Sequence, residues 1–216
     1  MPSQRKKSKI PLVPTNRIET LADGIFAIAM TLLVLGIEVP AIPGTVTSTA
    51  ILQYTLNILI PQIFIYVLSF ILLASFWMNH HVFFIIKRTN NTLLWINIFW
   101  LMSIAIVPFS TSMIAKYGGF QLSDIIFALN MLIIGILAYI NWTYAANKGL
   151  IVDEVMPYAN KVKKIFLSLP LLSVFAIIIS FLIPYGSITV FILIPIISAL
   201  YNVSKIRLFK KYLIDE

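Results

Sequence analysis

The chain has 216 residues, of which 60% are hydrophobic and 11% charged; it carries a formal net charge of +8 and no cysteine. Soluble domains are about half apolar and a quarter charged, so this composition indicates a membrane protein, with room for six or seven spans of about 20 residues and no separate soluble domain. The missing cysteine excludes disulfides, thiolate metal sites and cysteine nucleophiles.

In chain order, Arg5, Lys6, Lys7 and Lys9 precede the first apolar run as the n-region of a signal peptide would. That run is too long for an h-region, carries Asp23 and lacks a small-residue cleavage site, so it reads as a retained first span over 19–38. Pro40 and Pro43 end it, and the semi-polar stretch 45–59 is expected to form an external loop or a short surface helix. A second span runs over 61–86, with Pro61 in its first turn. Lys87, Arg88 and two asparagines then turn the chain into a third span, 93–113. Lys116, Gly118 and Gly119 lead to a fourth over 122–145, followed by a polar linker, 147–164. The fifth covers 165–183 and the sixth 188–203, before a basic tail.

Threading the basic residues through six spans puts fifteen of the sixteen Lys and Arg on the side of the N-terminus, leaving Lys116 alone opposite. Positive charge gathers on cytoplasmic loops, so both ends are expected inside. The same distribution explains the +8 charge without invoking nucleic acid.

Ionisable groups within spans are costly and usually functional. Asp23 lies six residues beyond Arg17, and His81 six before Lys87, so each sits about 9 Å from the same interface at 1.5 Å per residue. His80, Asn79 and Trp77 fall within a further turn. Two readings are open: a buried network of Arg17, Asp23, Trp77, His80 and His81, or a helix-start carboxylate with histidines facing headgroups. Adjacent histidines point about 100° apart on a helix and make a poor chelating pair, so no metal site is expected. No catalytic constellation or phosphate loop is present, and the chain does not read as an enzyme.

The first span also carries an apolar stripe. Leu21, Leu32, Leu35 and Val39 lie within about 40° of Ile28, Thr31 flanks them, and Asp23 and Leu33 fall about 140° away. Such a stripe faces lipid or neighbouring helices, or else lines a pore that gates by dewetting. Glu38 beyond it reads as a solvated loop charge.

Arg17, Leu21-Ala22-Asp23, Phe26-Ala27-Ile28-Ala29 and Thr31-Leu32-Leu33-Val34-Leu35 together resemble the first-helix signature of the transmembrane protein 175 family, the endosomal and lysosomal potassium channels, in its prokaryotic branch. Phe76-Trp77-Met78-Asn79-His80-His81 resembles the family's Trp and His-His segment, and Asn97 with Pro108-Phe109-Ser110-Thr111 has the look of its third helix. The likeness runs in order through most of the chain, and six spans match one family repeat, here a single domain over 1–216. One departure is Leu21-Ala22 where the family has Phe-Ser, which removes a hydroxyl from the polar network.

The resemblance implies a homotetramer in the cell membrane, with the first helix of each subunit around a central pore. Ile28, Leu32 and Leu35 would then form stacked constrictions. Thr31 would favour potassium, which passes transiently and is not a resident cofactor. No Thr-Val-Gly-Tyr-Gly segment is present to build carbonyl rings. The rival classes are a secondary transporter, expected to show broken helices at the midplane, and a non-conducting scaffold.

Overall fold

A computed structural model of the chain describes residues 15–38, 47–80, 86, 89–153, 155–183, 186–197 and 199. These form helices and their connections, with an isolated antiparallel bridge between Ile86 and Ile151. Helix α1, Thr15–Leu32, tightens into a 3-10 turn, Leu33–Gly36. The end of the bundle where α1 begins is called the near end below, and the end where it finishes the far end.

Helix α2, Ser48–Tyr54, starts at Thr47, whose hydroxyl accepts the Ala50 N–H at 3.2 Å. It runs through a π turn, Thr55–Leu59, into α3, Ile60–His80. The expected loop or surface helix at 45–59 is therefore corrected: Ser48–His80 is one apolar helix of 33 residues. The π turn explains the continuity. Pro61 lacks an N–H and its ring crowds the carbonyl four residues back. The backbone widens just before it, with the Ile60 N–H reaching Thr55 O five residues away.

Helix α4, Asn91–Ala105, is capped by Asn90, whose side chain accepts the Leu93 N–H at 2.9 Å. Ile106 interrupts it, and α5, Val107–Tyr117, follows with Pro108 in its first turn. Together they make the third span, Asn91–Tyr117, interrupted at Ile106 next to the proline, which cannot donate a helical hydrogen bond. Helix α6, Gln121–Asn147, is the fourth span.

The fifth span, Met156–Ser180, comprises a 3-10 turn, Met156–Tyr158, and α7, Ala159–Ser180. It begins well before the expected 165, because Lys161, Lys163 and Lys164 ride on its first turns. Their long stems can lie along the helix while the ammonium groups reach polar surroundings; Lys163 Nζ sits 5.5 Å from the centre of the Tyr139 ring. Helix α8, Gly186–Val190, opens a shorter apolar helix reaching Ile197. Among the described residues, five helices are long and apolar enough to cross a membrane, and this sixth apolar helix is shorter. Residues 200–203 of the expected sixth span, and the basic tail, lie outside the described residues.

Helices α6 and α7 approach closely at Gly135. A Cβ there would lie 2.7 Å from the Pro170 ring Cδ, so only hydrogen lets the two backbones meet. The core runs through the bundle as one apolar cluster containing Phe26, Leu72, Leu73, Leu101, Ile104, Phe127, Met131 and Ile134. The Phe127 ring meets Phe191, just beyond α8, edge-on at 5.4 Å, which ties the last apolar helix to α6.

Candidate functional site

The faces of α1 divide sharply. Ala22, Phe26, Ala29 and Leu33 are at most 2% exposed and join the core. On the other side, Ile28 is 61%, Leu32 43% and Leu35 72% exposed, and Thr31 is exposed beside them. The stripe thus faces away from its own subunit. Val39 lies outside the described residues. The 3-10 turn advances about 120° per residue instead of 100°, yet Leu35 stays outward and Leu33 inward. The Thr31 hydroxyl donates to Ile28 O at 2.8 Å and lies 3.1 Å from Ala27 O. Its proton is held by its own helix, so its oxygen lone pairs are what it can offer to another group.

At the near end, the Trp77 indole N–H donates to Asp23 Oδ1 at 2.9 Å. This joins α1 to α3, through a residue one helical turn deeper than the His81 position that the spacing matches to Asp23. The rest of the expected network divides. Among the described residues, neither Arg17, exposed in the first turns of α1, nor His80 bonds to Asp23. His80 turns inward and is 6% exposed. Its ring stacks on Trp100 at 5.2 Å and 8°, with Phe26 tilted against both at 6.4 and 5.8 Å. His81 lies outside the described residues. Trp77 and His80 are three residues apart, or about 60° around the helix. That offset leaves the indole at the surface and the imidazole inside. Ala22 is fully buried, so the position of the family's serine points into the core.

Deeper in the bundle, some of the buried polar groups satisfy one another in pairs, which offsets part of the cost of removing them from water. The Thr111 hydroxyl lies 3.0 Å from Ser69 Oγ, and Asn130 Nδ2 donates to Ser110 Oγ at 3.0 Å. Toward the far end, the Ser187 hydroxyl donates to Asp124 Oδ1 at 2.9 Å. Sequence reasoning passed over these pairs and the Trp100 stack. The usable signal was the set of lone polar residues in otherwise apolar runs, among them Ser69, Asn130 and Asp124.

The far end corrects one expectation. Glu38 is paired rather than simply solvated: Lys116 Nζ donates to its two carboxylate oxygens at 2.9 and 3.1 Å. The single basic residue predicted on that side meets the carboxylate that ends the first span. The Tyr54 hydroxyl also donates to Glu38 O at 2.6 Å.

Residues 17–108 match the family model of the endosomal/lysosomal potassium channel TMEM175. A potassium channel of Streptomyces collinus is 39% identical over 104 residues, which is 48% of this chain and 48% of that protein. One from Chamaesiphon minutus is 39% identical over 104 residues, 48% of this chain and 50% of its own length. The chain spans about half the length of these curated relatives. The crystal structure of a lysosomal potassium-selective channel TMEM175 homologue from Chamaesiphon minutus superposes with a TM-score of 0.75 at 30% identity, covering 87% of this chain and 97% of that one.

Proposed function

This chain belongs to the TMEM175 family of potassium channels, and we propose that it passes potassium in preference to sodium through a pore lined by the first helix of four identical subunits. The carrying observation is the division of α1, with an outward stripe of Ile28, Leu32 and Leu35 and an inward face that belongs to the core. Exposed leucines alone are ordinary in lipid. What distinguishes this face is its mixture of large apolar residues with Gly24, Ala27 and Thr31, all exposed; small residues let helices approach closely.

Around a fourfold axis, Ile28, Leu32 and Leu35 stack as rings of apolar side chains. Water leaves so narrow a neck readily, and the dry neck closes the pore. An ion crossing it sheds part of its hydration, which costs less for potassium than for sodium, so selectivity follows without carbonyl rings. The Thr31 oxygen replaces part of the lost water. The near end, with its basic residues, faces the cytoplasm, and the assembly spans the cell membrane.

The test is planar-bilayer recording of purified protein carrying Leu35→Asn, compared with Leu171→Asn on the exposed face of α7. The amide at 35 wets the neck, so conductance rises severalfold and the potassium-to-sodium permeability ratio falls, while the change at 171 leaves both unaltered. Equal effects at the two positions would show that the stripe does not face the ions.

A further inference from the structure

We propose that the far end of α1 is held by a latch in which Glu38 and Lys116 act as positioning residues for Leu35. The inference rests on the reading that α1 lines the pore, and adds what sets the aperture there. Leu35 belongs to a 3-10 turn of four residues, Leu33–Gly36, and such short turns are weakly self-supporting. Beyond Leu33 no residue of this segment is buried: Val34 and Leu35 are exposed, and Gly36 and Ile37 only partly covered. Past Leu33, the first residue of the turn and part of the core, the core therefore does not fix the segment that carries Leu35.

Three ties from two other elements do. Gly36 sits so close to α5 that a Cβ on it would lie 2.6 Å from Ser112 Oγ. One helical turn along α5, Lys116 grips both oxygens of Glu38. From α2, the Tyr54 hydroxyl holds the Glu38 carbonyl at 2.6 Å. Ser112 and Lys116 are four residues apart, so they share one face of α5, and that face receives Gly36 and Glu38 in register. The turn cannot rotate Leu35 toward or away from a central axis without releasing these ties.

The ion pair is built to be released. Its side chains are 51% and 56% exposed, and exposed pairs shift an equilibrium by only about two- to fivefold. Because Lys116 neutralises Glu38, the carboxylate ties the turn down instead of gathering cations at the mouth.

The experiment compares Glu38→Gln, Lys116→Gln and the exchange Glu38→Lys/Lys116→Glu in bilayers at low and high salt, alongside Leu35→Asn. A latch predicts that both single changes move conductance and the potassium-to-sodium ratio in the same direction, by about two- to fivefold, and that the exchange restores parental values. A simple charge effect predicts opposite directions that vanish at high salt; that result, or no change in either variant, overturns the proposal. If Leu35→Asn alters conduction while the pair variants do not, the latch is wrong and the pore reading stands. If Leu35→Asn also has no effect, the pore reading falls and the latch with it.

A second measurement does not depend on the ion pair. The ideal Cβ at Gly36 lies 3.6 Å from Ser112 Cβ, within the range that a disulfide spans, and the chain has no cysteine of its own. In Gly36→Cys/Ser112→Cys, mild oxidation locks the turn to α5. Adding Lys116→Gln should then change conduction in the reduced protein and not in the oxidised one. Sensitivity to Lys116→Gln that survives oxidation would overturn the latch.

Discussion

Asp23 and Trp77 show how much a single contact is expected to carry. The carboxylate accepts the indole N–H at 2.9 Å between α1 and α3, and both residues are exposed on the protomer surface. Asp23→Ala removes the acceptor, at a cost of about 1 kcal/mol, toward the low end for a bond that solvent or a neighbouring group can partly replace. Asp23→Asn keeps an amide oxygen in reach of the indole and should retain most of the stability. Thermal unfolding of the purified protein checks this: the alanine variant melts lower and yields less folded protein, and the asparagine variant stays near the parent. Depth along two antiparallel helices matched Asp23 to His81, with Trp77 within a further turn, so the neighbourhood was legible in the sequence and the partner was not. The direction of His80 was not legible, because a rotation of about 60° separates a surface position from the core, and only the places of Phe26 and Trp100 decide which side is interior.

At the scale of one element, α1 and its 3-10 turn put Leu33 and Leu35 two residues apart in opposite environments, 2% and 72% exposed. The helical wheel places Leu33 away from the stripe, which suggests a position where a change does little beyond packing. The structure makes it a core residue, so it is a poor control for Leu35. Leu33→Asn buries an amide among apolar side chains, at a cost of about 1–3 kcal/mol on top of the lost packing. The expected outcome is a sharp fall in folded yield, measured by size exclusion of detergent-solubilised protein, whereas Leu35→Asn folds at nearly the parental level. Equal yields would mean that the inward face of α1 contributes little to the subunit. The ends of the other helices were harder to place. Pro61 marked a helix start in the sequence and is instead absorbed by the π turn Thr55–Leu59. Lys161, Lys163 and Lys164 suggested a linker and instead lie on the fifth span. In both cases a local signal was outweighed by the continuity of an apolar helix.

For the whole molecule, the expected sidedness follows from charge. With the near end in the cytoplasm, Lys161 lies inside and Phe120, 70% exposed between α5 and α6, lies outside. In this cysteine-free chain, Lys161→Cys should resist an impermeant thiol reagent applied to intact cells and react once they are opened, whereas Phe120→Cys should react at once. Labelling at 161 in intact cells would reverse or break the six-span topology.

Composition and apolar run length determined by themselves that this is a helical membrane protein. They also located the cores of its long helices, and the periodicity of the first span picked out Ile28, Leu32 and Leu35 as one face. These properties sum locally along the chain and need no partner to be read. The tertiary structure alone decided that this face turns away from its own subunit, that His80 stacks with Trp100, and that Lys116 reaches Glu38 across 78 positions of sequence. In lipid an apolar side chain is equally at ease in the core or outside it, so hydropathy cannot say which face of a helix looks inward. That choice belongs to the shape and small polar groups of the neighbouring helices, which meet only in the folded bundle.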